Sequence, residues 1–298
     1  MAARLRRERA AEAKRGRMTR AEERRLLAKA KGGDARALAR LLDALSEPVY
    51  RFGLGFCRDP DDAEDLAQDV LLSVTRSLPG LRGDAALTTY AYTAARNACI
   101  RRRRRPAGAP DRIESLEARA ERGDGSGEPA DPGGDPHRGL ERRELAEAVR
   151  DAIAALPAPQ REVVLLRDVE GLSAREAGAV LRIGERVLKA RLHRGRLALR
   201  RALEAHVVPD GGRSRPREEC PETALYFSRF LEGELTPALC ARLSSHVAAC
   251  PRCLRVCRSM RETLGACRRL RRAPATRARR AARRSLRSAV GSGRGAKA

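Results

Sequence analysis

Four residues in the C-terminal third, Cys220, His246, Cys250 and Cys253, follow the spacing C-x25-H-x3-C-x2-C, which metal coordination explains better than packing does. His246 and Cys250 are four apart and so share a helix face. Cys250-Pro251-Arg252-Cys253 makes a tight knuckle, and Cys220 can return from an upstream helix to complete a tetrahedron. One imidazole and three thiolates suit Zn²⁺. With four protein ligands no position stays open for a reacting water, so the site is structural rather than hydrolytic. No nucleophile–base constellation accompanies it, which argues against an enzyme. Cys240, Cys257 and Cys267 exceed the ligands needed; they are either buried thiols or candidates for redox exchange or a further metal.

A second set of residues has chemistry suited to nucleic acid. Around Thr88 to Arg105 the chain combines Tyr90 and Tyr92 with Arg96, Asn97 and five consecutive Arg at 101–105. Arg holds phosphate, Asn bonds base edges and an aromatic ring supports an unstacked base, so the set fits partly melted nucleic acid. A third set lies downstream. After a helix ending near Gly171, Ser173 and Glu176 form a Ser-x-x-Glu capping box for a short helix to Leu181, and Gly184 is expected to permit the turn into a longer helix. This is helix-turn-helix spacing. On the longer helix Leu188, Leu192, Leu199 and Leu203 share one face, and Arg186, Lys189, Ala190, His193 and Arg194 point the other way. Such a helix fits the major groove, with His193 expected to contact phosphate.

The elements that carry these sets are separated by breaks in composition. Pro106 to Gly139 is rich in Pro and Gly, with eight acids and four Arg, and reads as an acidic linker; a second break spans Val208 to Ser214. The expected organisation is a basic tail over 1–25, a helical unit over 26–105, the linker over 106–139, a helix-turn-helix unit over 140–205, a short linker over 206–217, a zinc unit over 218–270 and a basic tail over 271–298. In the first helical unit Asp59 before Pro60 is an N-cap, followed by Ala63, Leu66, Ala67, Val70, Leu71, Val74 and Leu78 at helical spacing. Asp65, Gln68, Asp69 and Leu72 lie opposite, and a Leu in an acidic outer face hints at a docking surface. The fold class is all-α: with 3% aromatic residues and no Trp, a large sheet protein is disfavoured.

The whole chain has 298 residues, 63 Lys+Arg against 39 Asp+Glu and a net charge of +24, so an acidic partner is expected and nucleic acid leads. The charge is concentrated at the ends: residues 1–31 carry +8 and residues 268–298 carry +12, both expected to be solvated tails with non-specific phosphate affinity. No stretch approaches the roughly 20 apolar residues of a membrane helix. The cysteines cluster instead of forming a secreted framework, so a reduced, cytoplasmic setting is expected.

These residues resemble the extracytoplasmic-function (ECF) subgroup of the sigma-70 family of bacterial sigma factors. Asp62-Ala63-Glu64-Asp65-Leu66-Ala67-Gln68-Asp69-Val70 is similar to the helix of region 2 that docks on the clamp of core RNA polymerase. The resemblance therefore implies polymerase contacts at Asp62, Glu64, Asp65, Gln68, Asp69 and Leu72. Leu87 to Asn97 resembles the part of region 2 that melts and reads the downstream (minus ten) element, implying DNA contacts at Arg82, Asp84, Tyr90, Arg96 and Asn97. The family usually has Trp-Leu where this chain has Tyr90-Ala91. Leu156 to Arg196 is similar to region 4, which implies upstream (minus thirty-five) contacts by Arg186, Lys189, Arg191 and Arg194. The segment from Cys220 to Cys253 resembles zinc-binding anti-sigma domains, here fused to the sigma factor that it would silence through an intramolecular contact. The competing expectation is a helix-turn-helix regulator with a zinc-knuckle module for dimerisation or for metal or redox sensing.

Overall fold

The computed structural model describes residues 18–57, 59–81, 87–103, 136–207, 220, 222–271, 278–280 and 282–285. Arg82, Asp84, nearly all of the acidic linker and most of both tails lie outside the described residues. Every regular element among the described residues is a helix, as expected. Helix α1, Arg20–Lys31, starts where the Thr19 hydroxyl accepts from the Glu22 amide at 3.2 Å, with Glu22 and Glu23 in its positive first turn. Helices α2 (Ala35–Cys57), α3 (Pro60–Ser77) and α4 (Leu87–Arg103) pack with it. At the start of α3 the Asp59 carboxylate accepts from the amides of Asp61 at 2.7 Å and Asp62 at 2.9 Å, and the expected stripe from Ala63 to Leu78 is buried. Gly53 lets α2 approach: a Cβ there would stand 2.9 Å from a Leu66 methyl. The amino end of α4 is closed by α1, because buried Glu23 accepts from the Leu87 amide and, at 3.0 Å, from the Thr88 hydroxyl.

Helix α5 (Pro136–Ala155) leads into α6 (Ala158–Val164), a π turn at Leu165–Val169, α7 (Ala174–Leu181), α8 (Glu185–Ala202) and the short α9 (Glu204–Val207). Both halves of the capping box at α7 form: the Ser173 amide donates to Glu176 at 2.8 Å and the Glu176 amide to the Ser173 hydroxyl at 3.1 Å. The turn itself differs from the sequence expectation. Its left-handed residue is Arg182, at φ 54°, whereas Gly184 is extended at φ −68° and serves as the N-cap of α8. Gly178 is the glycine that the turn needs, since a Cβ there would lie 2.9 Å from the Ile183 carbonyl oxygen. An exposed arginine in the left-handed region stores about 1 kcal/mol. Arg182→Gly is therefore expected to raise the thermal midpoint of residues 136–207 by a few degrees; an unchanged or lower midpoint would show that the Arg182 side chain repays that strain.

Helices α10 (Thr223–Glu232), α11 (Pro237–Ala249) and α12 (Pro251–Leu270) form the zinc unit. Thr236 caps α11, and Gly233, at φ 73°, ends α10 and turns the chain. Two cores result. The first runs without interruption from α1–α4 into α5–α8, and the second is a small cluster of Phe227, Phe230, Cys257, Met260 and Leu264. The basic C-terminal tail, expected to be solvated throughout, is not so at residues 278–280 and 282–285: these are helical, and Ala278 and Ala282 join the first core. Small side chains on one face let a basic segment lie against α3 while its arginines reach outward.

Candidate zinc site and nucleic-acid interface

The four expected ligands converge. One ligand atom from each of Cys220, His246, Cys250 and Cys253 lies within 4.8 Å of every other. Cys220 precedes α10, His246 sits in the last turn of α11, and Cys250 and Cys253 bracket the start of α12, so the site ties all three helices together. The Cys220 and Cys250 sulfurs are 3.9 Å apart, close to the roughly 3.8 Å edge of a tetrahedron with zinc–sulfur bonds near 2.3 Å. His246 Nε2 stands 3.1 Å from Cys253 Sγ, and the buried Thr223 hydroxyl donates to that sulfur at 3.2 Å. The donor set fits Zn²⁺, which would supply a structural cross-link there. None of the eight cysteines is in a disulfide. Of the three extra ones, Cys240 is half-buried, while burial pushes the Cys257 thiol up to about 11 and the Cys267 thiol up to about 12, which keeps both protonated and slow to react.

Zinc-site geometry fixes α10, and α10 lies on the helix-turn-helix. Arg196 of α8 is fully buried and donates to both oxygens of Asp168 at 2.8 and 2.7 Å, and to Glu232 of α10 at 2.8 Å. Burial alone would lower the Arg196 pKa; Asp168 and Glu232 outweigh it and raise it. Arg167 also donates to Glu232. One turn earlier on α8, His193 is bonded through Nδ1 to the Ser228 hydroxyl at 2.8 Å and through Nε2 to Glu234 at 3.0 Å, with Lys189 3.6 Å from the same carboxylate. Burial, opposed by Glu234, holds His193 below its ordinary pKa. A neutral ring that donates from Nε2 to Glu234 and accepts the Ser228 hydroxyl at Nδ1 uses both nitrogens. The expectation that His193 contacts phosphate is corrected: it is 5% exposed, and the zinc unit covers it.

A second polar seam joins α2 and α4 to the helix-turn-helix unit. Glu170 accepts from Arg51 through two nitrogens at 3.1 Å each and from the Tyr92 hydroxyl at 2.9 Å. Arg96 donates to Glu162 of α6 at 3.1 Å, and the Arg161 guanidinium lies over the Phe56 ring at 6.0 Å. The α4 residues suited to DNA are thus partly engaged by α6 and the π turn.

Comparison with known proteins follows the same division of the chain. Residues 41–108 match the family described as Sigma-70 region 2, residues 146–199 match Sigma-70, region 4, and residues 220–254 match Putative zinc-finger. The RNA polymerase sigma-H factor of Pseudomonas aeruginosa is 28% identical over 192 residues, 63% of this chain and 96% of that protein. The ECF RNA polymerase sigma factor SigM of Mycobacterium tuberculosis is 30% identical over 179 residues, 60% of this chain and 83% of SigM. The chain belongs to the ECF sigma factors. A solved chain described as "Structure of CnrH in complex with the cytosolic domain of CnrY" aligns with 61% of this sigma factor at 22% identity and a TM-score of 0.42.

Within the sigma factor, Asp62, Asp65 and Asp69 are exposed on α3, Gln68 and Leu72 are half-buried, and Glu64 is buried beside Arg284 of the C-terminal arm. Arg102 bridges Asp62 at 3.5 Å and Asp69 at 3.4 Å. Tyr90 is half-buried with its hydroxyl 2.6 Å from that of Ser77, and Asn97 is exposed. On α8, Arg186 and Arg194 are exposed, whereas Lys189 and Arg191 are half-buried. Sequence reasoning missed Ser228, Glu232 and Glu234. The only local sign of them was an acidic Glu-Gly-Glu directly after an apolar helix, a pattern common on ordinary surfaces. No helix among the described residues is long and apolar enough to cross a membrane.

Proposed function

We propose that this ECF sigma factor is held inactive by its own zinc unit and, once opened, directs core RNA polymerase to promoters from the cytoplasm. Region 2 docks on polymerase through Asp62, Glu64, Asp65, Gln68, Asp69 and Leu72, and engages the melted downstream element through Arg82, Asp84, Tyr90, Arg96 and Asn97. Region 4 reads the upstream element through Arg186, Lys189, Arg191 and Arg194, and the exposed Val187 beside them offers an apolar contact to a thymine methyl. One observation carries the inhibited state. The Glu234 carboxylate stands 3.6 Å from Lys189 and 3.0 Å from the His193 ring, so it takes up at Lys189 a cation that DNA phosphates or bases would otherwise meet. The closed packing of α7 on α4, with Arg96 bonded to Glu162 of α6, fits the same state, because region 2 and region 4 have to separate to reach two promoter elements at once.

Reconstituted run-off transcription with core polymerase tests this. A chain ending at Val207 is expected to start at defined promoters at least tenfold more often than the full chain at equal concentration. Equal or lower output from the shortened chain would reject self-inhibition, and no initiation by either would reject the promoter role.

A further inference from the structure

The C-terminal arm touches a different part of the molecule from the zinc unit. Arg284 pairs with Glu64 of α3, the Ser285 hydroxyl donates to the Gln68 carbonyl at 3.4 Å, and Arg279 stands 3.5 Å from Glu47 of α2. Ala278, Ala282 and Ser285, spaced as one helical face, are 0%, 6% and 0% exposed. Glu64 and Gln68 belong to the face assigned above to polymerase, and the arm lies beyond the residues 220–254 that match the zinc-finger family. We infer that residues 278–280 and 282–285 form a tethered latch that covers the Glu64 and Gln68 side of the polymerase-docking face of α3 and competes with core polymerase for it.

This inference rests on the assignment of α3 as the docking helix. The physics suits a latch better than a permanent clamp. Arg279 and Arg284 are 65% and 44% exposed, and ion pairs so open to water hold weakly. Tethering compensates, because a short connection supplies an effective concentration on the order of millimolar. A weak contact is then mostly closed in the free protein, yet a partner that binds α3 over a wide surface displaces it. The zinc unit and the arm therefore cover two surfaces meant for two partners, DNA and polymerase.

The test measures equilibrium binding of fluorescent core polymerase to the full chain, to the full chain with Ala282→Asp and Arg284→Glu, and to a chain ending at Arg271. Both altered chains are expected to bind core about 3- to 30-fold more tightly, the range over which millimolar tethering supports a weak contact. Promoter DNA binding without polymerase should not rise in the substituted chain, as the zinc unit is untouched. A peptide of residues 272–298 added in trans should weaken core binding by the shortened chain, and the same peptide with Ala282→Asp should not. Wild-type affinity in both altered chains would overturn the latch. Asp65→Arg in the shortened chain separates the two assumptions: if core binding survives it, the docking assignment fails and the latch with it; if core binding is lost while the arm variants match wild type, only the latch fails.

Discussion

Replacing Glu232 and Glu234 by lysine is expected to raise the affinity of the full chain for promoter DNA on the order of 100-fold. Glu232 is 3% exposed and meets both Arg196 and Arg167; Glu234 meets His193 and Lys189. A lysine at position 232 would face the Arg196 and Arg167 guanidinium groups in a contact closed to water, and one at position 234 would face Lys189 and the His193 ring at its partly open edge. Removing one side of a buried ion pair costs about 3 to 5 kcal/mol, and each 1.4 kcal/mol shifts the balance between closed and open forms tenfold. Region 4 itself should remain folded, because Arg196 keeps its two-pronged bond to Asp168. The added positive charge would also strengthen non-specific DNA binding, so the control carries Glu222→Lys and Glu262→Lys, an equal charge change at exposed sites. The 100-fold gain should appear only in the first variant. If both full-length variants gain equally, Glu232 and Glu234 do not hold region 4 shut.

Much of this arrangement could be read before any coordinates, and the reason differs from part to part. The caps at Asp59 and Ser173, the α3 stripe and the four zinc ligands are local patterns, in which a few neighbouring residues satisfy helix ends or a metal. The contacts that close the molecule are not local. Glu170 with Tyr92, Glu162 with Arg96 and Glu234 with His193 pair residues 41 to 78 positions apart, and a glutamate destined for a buried pair looks in sequence like one destined for water. His193 shows the limit best: helical spacing placed it correctly on the basic face of α8, but could not show that this face is covered. The arm was missed for a similar reason. Its net charge suggested solvation, and only the stripe of Ala278, Ala282 and Ser285 distinguishes it from the flanking basic sequence.

The largest effect should come from taking away the metal. The zinc unit buries only a handful of large side chains, and a core of that size does not ordinarily hold three helices without a cross-link. In small zinc domains the metal contributes apparent free energies of about 10 to 16 kcal/mol to folding, far more than this cluster can replace. Cys220 anchors the entry to α10 and Thr223 bonds to Cys253, so loss of the site frees the amino end of the helix that carries Ser228 and Glu232. Cys250→Ser, or a chelator added to the full chain, is therefore expected to abolish hydrogen-exchange protection across residues 223–249 while residues 158–202 keep theirs. Promoter DNA affinity should rise to that of the chain ending at Val207, and chelator should do nothing to that shorter chain. Protection that persists without metal would mean that the contact with α8 holds α10 on its own. Protection lost without any gain in DNA affinity would mean that α8 was never covered in solution.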